Sequence, residues 1–184
     1  MDVTCSVFIA TSLDGFIARP NGDVDWLDYS EYVLEGENFG YYEFMDSIDA
    51  LIMGSNTYEK VLTFGEWHYS KPVFVLSSRK FETPIHLTNK VFFLNGELPE
   101  VLTELQSRGY HSFYIDGGKT IQLFLKQELI NQLIITQIPI LLGDGIPLFG
   151  NLKSEIKLKL ISSQGYKNGF VKSSYEILKS DRNE

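Results

Sequence analysis

The sequence predicts an α/β domain that ends in an antiparallel hairpin. Short apolar, β-branched runs of strand length alternate with stretches of helical pattern through most of the chain. Two alternating runs, residues 156–164 and 170–178, close it, joined by the turn Tyr166-Lys167-Asn168-Gly169. A third observation concerns the junctions: several strands run into glycine or hydroxyl residues where a helix begins.

Residues 3–11 form an apolar first strand, bounded by Ser12-Leu13-Asp14-Gly15. Phe16-Ile17-Ala18 returns briefly, and Arg19-Pro20-Asn21-Gly22-Asp23 turns the chain. Residues 28–45, acidic and aromatic, read as a helix broken near Gly36 and Gly40. Strands follow over residues 49–54, 72–76 and 91–94. Leu98, Val101, Leu102 and Leu105 mark the buried stripe of an amphipathic helix, with Pro99 near its start and Gly109 past its end. A strand from His111 reaches a glycine pair, and a helix covers residues 120–126. Residues 132–142 read as a long strand interrupted by Pro139, which implies an edge or a bulge. Gly143-Asp144-Gly145 turns the chain, Ile146-Pro147-Leu148-Phe149 brings it back, and the tail 179–184 frays. With no repeat or linker, residues 1–184 read as a single domain.

Three strand ends are suited to anions. At Asp116-Gly117-Gly118-Lys119-Thr120, paired glycines let a ligand approach the backbone, and the next helix aims free N–H groups at the turn. A turn that merely needs glycine accounts for the same residues. Gly54 with Ser55, Asn56 and Thr57 is a second strand–helix junction, which on its own reads more readily as an ordinary N-cap. Ser77, Ser78 and Arg79 follow the strand at 72–76, where an arginine fork suits a phosphate monoester; a solvated loop with a basic tip is the alternative.

Composition narrows the function. A net charge of −8 argues against non-specific nucleic-acid binding and against an anionic membrane surface. Cys5 is the single cysteine, so no intrachain disulfide forms, and a reducing, cytoplasmic location is expected. Met1-Asp2-Val3-Thr4 lacks the basic and apolar regions of a secretory signal, and no run reaches membrane-spanning length. His68, His86 and His111 lack ligand spacing, so no metal site is expected. The turn after the first strand lacks the G-x-G-x-x-G dinucleotide fingerprint, and no G-x-S-x-G nucleophile motif occurs.

Four stretches, in order across nearly the whole chain, carry a resemblance. They are Ser12-Leu13-Asp14-Gly15-Phe16-Ile17-Ala18; Asp49-Ala50-Leu51-Ile52-Met53-Gly54 with Thr57-Tyr58-Glu59; Ile115-Asp116-Gly117-Gly118; and the run from Ile138-Pro139 through Gly143-Asp144-Gly145 to Phe149. Together they resemble the dihydrofolate reductase fold, and more closely the reductase domain of the bifunctional riboflavin-biosynthesis deaminase-reductases. The resemblance implies a three-layer, mixed but mostly parallel sheet with helices on both faces, and NADPH across the strands' C-terminal ends. Gly117, Gly118, Lys119 and Thr120 would take the pyrophosphate, with Gly54, Ser55, Asn56 and Thr57 on its second side. Ser77, Ser78 and Arg79 would sit at the adenosine 2′-phosphate, favouring NADPH over NADH. Ala10, Ile17 and Thr136 would lie near the nicotinamide and substrate.

The chain also departs from that family. The deaminase signatures H-x-E and P-C-x-x-C are absent. Where a riboflavin-pathway reductase carries an Asp-Asp-Pro-like segment and an arginine, this chain reads Lys60-Val61-Leu62-Thr63-Phe64-Gly65-Glu66-Trp67. The resemblance therefore implies an NADPH-dependent reductase of a small heteroaromatic or imine-like substrate, similar to 5-amino-6-(5-phosphoribosylamino)uracil reductase. A pterin or dihydrofolate reductase and a nucleotide-binding protein without turnover are the alternatives.

Reduction of a C=N or C=O bond needs a proton donor, and a carboxyl in an apolar pocket supplies one when burial raises its pKa. Glu31 is a candidate because Trp26 and Glu31 have the spacing of the tryptophan and acid of dihydrofolate reductases; Asp25 at the same loop is another, and Trp26 would line the substrate side. A solvated helix-start carboxylate is the alternative for both. Asp14 reads as a turn-capping residue, and Asp116 as one that orients the glycine turn. The apolar segment 138–149 and the C-terminal hairpin could cover an edge with a second copy, so a homodimer is expected.

Overall fold

The computed structural model describes residues 2–79 and 81–178; the tail expected to fray lies outside them. In chain order the strands are β1 (Thr4–Ser12), β2 (Phe16–Ala18), β3 (Ala50–Gly54), β4 (Val73–Leu76), β5 (Val91–Leu94), β6 (Ser112–Asp116), β7 (Gln132–Ile138), β8 (Ile146–Pro147), β9 (Leu158–Gly165) and β10 (Val171–Ile177). The helices are α1 (Tyr41–Ser47), α2 (Ser55–Leu62), α3 (Leu98–Ser107) and α4 (Gly118–Lys126).

Strands β5-β4-β3-β6-β1-β7-β10-β9 form one eight-stranded sheet, parallel from β5 to β7 and antiparallel across β10 and β9. The unbroken apolar runs of β3 and β4 follow from burial on both faces. In β3, Ala50 and Ile52 point to one side and join Leu98, Leu102 and Leu105 of α3 and Ile121 and Phe124 of α4. Leu51 and Met53 point to the other and meet Phe44 and Met45 of α1 and Tyr58 of α2. The sheet is thus a middle layer with helices on both faces. Leu102 and Leu105 are fully buried, so truncating either to alanine costs about 2–5 kcal/mol.

Three segments differ from expectation. Residues 28–45 are not one broken helix: 3-10 turns at Asp25–Asp28 and Ser30–Tyr32 lead through a loop to the short α1. Left-handed backbone at Gly36, Phe39 and Gly40 interrupts any longer helix. Strand β7 stops at Ile138, before Pro139, and it is neither an edge nor bulged, because β1 and β10 pair with its two sides. Proline has no N–H to continue a ladder that is occupied on both sides. Helix α4 starts at Gly118 rather than Thr120. The hairpin forms as expected, with a register shift at Ser174/Tyr175.

Short β2 pairs with β8 in a separate two-stranded sheet. Asp14 fastens its approach, accepting hydrogen bonds from the Ser12 hydroxyl (2.5 Å) and from Leu142 N (3.1 Å) and Gly143 N (2.8 Å). These bonds, that from Ser12 foremost, hold the Asp14 carboxyl below its ordinary pKa.

Candidate active site

The parallel ladder between β1 and β6 ends early. Thr4 to Ser6 pair with Ser112 to Tyr114, and then the strands part company. β1 continues along β7 to Ser12, while β6 continues along β3 to Asp116. The Tyr114 hydroxyl spans the gap, donating to Phe8 O at 2.8 Å. Strand order reverses about β1, and the crevice outside strand C-terminal ends at such a point is where open α/β sheets bind ligands.

All three strand ends read from the sequence meet beside this opening. A Cβ on Gly117, whose φ is +88°, would collide with Thr57 Oγ1, so the β6–α4 and β3–α2 junctions touch. A Cβ on Gly54 would stand 2.9 Å from Thr120 Oγ1, a second contact between the same two junctions. Arg79 joins the third, donating to Ser55 Oγ (3.0 Å) and Glu59 Oε2 (3.0 Å). Both helices therefore present their unpaired first-turn N–H groups along one ridge: Ser55, Asn56 and Thr57 on α2, and Gly118, Lys119 and Thr120 on α4. Gly118 is buried, and a Cβ on it would lie 2.8 Å from Ile17 Cδ1 and 3.4 Å from Ile146 Cγ2. The small β2–β8 sheet thus roofs the start of α4. Glycine at 117 is favoured by its positive φ and by the Thr57 side chain whatever else binds there.

A cavity of about 370 Å³ lies at the outer end of the ridge, lined by Ser77, Ser78, Arg79, Phe81, Phe93 and Asn95. Phe81 and Phe93 stack at 5.2 Å, and the Arg79 guanidinium sits 4.9 Å from the Phe81 ring. Guanidinium carries five N–H donors, so Arg79 keeps some beyond those serving Ser55 and Glu59. The larger cavity, about 1080 Å³, lies at the opposite end of the sheet between residues 125–131 and 152–157 and holds none of these residues.

The carboxyl groups are arranged differently from the sequence reading. Asp25 is gripped by Arg19 (2.6 and 3.0 Å), which holds its carboxyl below the usual range, the reverse of what a neutral proton donor needs. Glu31 is exposed in a 3-10 turn and occupies no apolar pocket. The carboxyl whose pKa moves in the required direction is Asp116, half-buried at the end of β6. Burial pushes its pKa up, against hydrogen bonds from Gly117 N (2.8 Å) and the Tyr69 hydroxyl (3.2 Å). Burial, with the Asp116 charge, raises the Tyr41, Tyr69 and Tyr114 pKa values in turn, so all three phenols stay neutral donors. Asp116 does orient the glycine turn, as the sequence suggests, but it also faces the crevice from a shell of tyrosines. Its position before Gly117 was a usable signal; nothing local pointed to Tyr69.

Ala10 and Thr136 are paired partners on β1 and β7, and Thr136 is buried. Trp26 is wholly buried against Ile138 and Phe170 and so walls no open surface, though its indole N–H has no partner among the described residues. No cluster of three or more metal-ligating side chains occurs among the described residues. No helix there is long and apolar enough to cross a membrane.

Fold and crevice thus define an α/β protein with two helix N-termini side by side at the edge of a split sheet. Residues 3–172 match the RibD C-terminal domain family, and the chain belongs to that family. It is 38% identical over 157 residues to the uncharacterized protein YwjB of Bacillus subtilis (strain 168), covering 84% of this chain and 87% of that protein. The crystal structure of a putative riboflavin biosynthesis protein from Shewanella sp. PV-4 superposes with a TM-score of 0.91 at 43% identity, covering 96% of this chain and all of that one. A diaminohydroxyphosphoribosylaminopyrimidine deaminase/5-amino-6-(5-phosphoribosylamino)uracil reductase from Thermotoga maritima shares the fold at 14% identity and a TM-score of 0.73, with this chain spanning 57% of its length.

Proposed function

We propose that this protein is an NADPH-dependent reductase of a small heteroaromatic or imine-like substrate, of the 5-amino-6-(5-phosphoribosylamino)uracil reductase type. The observation that carries the reading is the continuous ridge from Arg79 through Ser55 and Thr57 to Gly117 and Thr120, beside the β1–β6 opening. Family membership and the likeness to a putative riboflavin biosynthesis protein support a reductase-like activity.

The donor set fits the dinucleotide. Six first-turn N–H groups on two helices suit a pyrophosphate, and the Ser77–Arg79 cavity suits a phosphorylated ribose. Glu59, which shares Arg79, opposes a second anion there and moderates the preference. When bound, NADPH supplies the hydride. Asp116, whose pKa burial raises, is the group suited to deliver the accompanying proton to the substrate heteroatom. Thr136 and Ala10 form the floor beneath the substrate, and Ile17 roofs the ridge.

The described elements form one layered unit, which supports treating residues 1–184 as a single domain. A lone buried cysteine and the lack of a membrane-spanning helix among the described residues fit a cytoplasmic protein. The exposed β9 edge supports a homodimer.

The test is a fluorescence titration of NADPH and NADH against wild type, Arg79→Ala and Glu59→Gln. Tighter binding of NADPH is expected, lost in Arg79→Ala and strengthened in Glu59→Gln. Failure of both nucleotides to bind would overturn the reading.

A further inference from the structure

Lys172 of β10 is a cation that neither the ridge nor Asp116 uses. It stands opposite Thr136 of β7, which stands opposite Ala10 of β1. Directly paired residues share a sheet face, so Ala10, Thr136 and Lys172 form one row across the floor of the crevice. That face is also the Tyr114 and Asp116 face, because Tyr114 pairs with Ser6, an even number of residues from Ala10.

The backbone is shaped around the ammonium. Lys172 Nζ donates to Phe39 O at 3.0 Å, and a Cβ on Gly40 would stand 2.6 Å from Nζ. Phe39 is left-handed (φ +54°), a conformation rare outside glycine, and Gly40 follows at φ +80°. Tyr41, the next residue, packs its ring against Phe8 at 5.9 Å and feels the charge of Asp116. The segment from Phe39 to Tyr41 thus touches Lys172 at one end and faces Asp116 at the other. Lys172 is partly buried and forms no ion pair with any carboxylate among the described residues. An ammonium has three donors, and Phe39 O takes one. An anion arriving from the crevice would give that ammonium the counter-charge it lacks within the described residues and take one of its remaining donors.

We propose that Lys172 is a specificity-determining residue that binds a carboxylate of the substrate, so that the reduced molecule is a carboxylic acid. This inference rests on the reductase reading of the crevice. It places the acidic group of the substrate at the β10 side and the proton-accepting heteroatom at the Asp116 side.

The probes are orotate and uracil, the same heteroaromatic ring with and without a carboxylate. Each is titrated calorimetrically into the full-length protein, with and without NADPH. Wild type is expected to bind orotate at least about tenfold more tightly than uracil. Lys172→Met is expected to erase the difference, and Lys172→Arg to keep most of it. Thermal melting of each variant shows that it is folded; a melting shift with the orotate preference intact would mean that Lys172 only fastens the Phe39 loop, and overturns the proposal. So does a wild type that does not favour orotate, including one that binds neither probe. NADPH fluorescence in the same samples separates the two ideas. A protein that binds NADPH without favouring orotate loses only the anion site, whereas one that favours orotate but never binds NADPH loses the reductase reading.

Discussion

The Tyr69 hydroxyl reaches from the loop beyond α2 to donate to Asp116 Oδ2 at 3.2 Å, while Gly117 N–H donates to Oδ1 at 2.8 Å. Both bonds favour the ionised carboxylate, yet burial outweighs them and the Asp116 pKa is raised. If the protonated acid delivers the proton, the rate of NADPH oxidation falls as pH rises through that elevated pKa. Tyr69→Phe removes a bond that favours the ionised form, so its alkaline fall moves to higher pH. Asp116→Asn lowers the rate by about 10²-fold or more and flattens that limb. A Tyr69→Phe profile displaced to lower pH would count against Asp116 as the acid.

Gly117 couples two strand ends, and the coupling is measurable. Gly117→Ala meets two obstacles, a φ of +88° and the Thr57 side chain. The expected loss is about 1–3 kcal/mol, read from urea unfolding. Adding Thr57→Ala removes the steric part and leaves the conformational part, so the double variant is more stable than the two losses sum to. Strict additivity would show that the junctions do not press on each other.

The amphipathic helix α3 and the strand-end junctions were legible because each rests on local pattern, whereas the layer order was implied only by the family resemblance. The four leucine and valine positions of α3 point inward as their spacing requires, and the glycine pair sits at a strand–helix turn. What stayed hidden depends on contacts distant in sequence. Tyr69 and Asp116 are 47 residues apart, and Lys172 and Phe39 are 133 apart. Arg19 neutralises Asp25 within a single loop, but nothing in the residue types says that its fork closes on that carboxylate rather than on solvent. The left-handed Phe39 has no sequence signal, and without it the loop before α1 reads as helix.

Acid sensitivity should have two opposing parts. Asp49 accepts hydrogen bonds from His111 N (2.8 Å) and Ser112 N (2.9 Å), and the His111 bond is the main cause of its lowered pKa. A lowered folded pKa gives stability that is present above the ordinary carboxylate value, about 3.9, and is lost as pH falls through the folded value. Asp116 has the opposite sign: its raised pKa gives stability that is full below the ordinary value and fades as pH rises through the folded one. Urea midpoints across pH are therefore expected to fall less steeply in acid for Asp49→Asn than for wild type. In Asp116→Asn they should lose a decline at higher pH. An unchanged acid slope in Asp49→Asn would remove Asp49 from the account.

Strand β9 closes one side of the sheet with its outer ladder unpaired among the described residues, and every one of its residues is exposed. Leu158, Leu160 and Ile161 keep 41%, 55% and 52% of their surface in water, so apolar groups lie on both faces of an open edge. Monomers blunt such edges with charge, proline or a cover; here Lys157 precedes the strand and a single charge, Lys159, lies within it between Leu158 and Leu160. A second copy laid against β9 would satisfy the free N–H and C=O groups and bury those side chains together. Sedimentation equilibrium is expected to give a dimer at micromolar concentration. Leu160→Lys should shift it to monomer without altering the far-UV spectrum, because the side chain is more than half exposed and belongs to none of the buried clusters. A wild-type protein that sediments as a monomer leaves the β9 edge solvated and removes the homodimer from the proposal, while the crevice between β1 and β6, which lies within one chain, is unaffected.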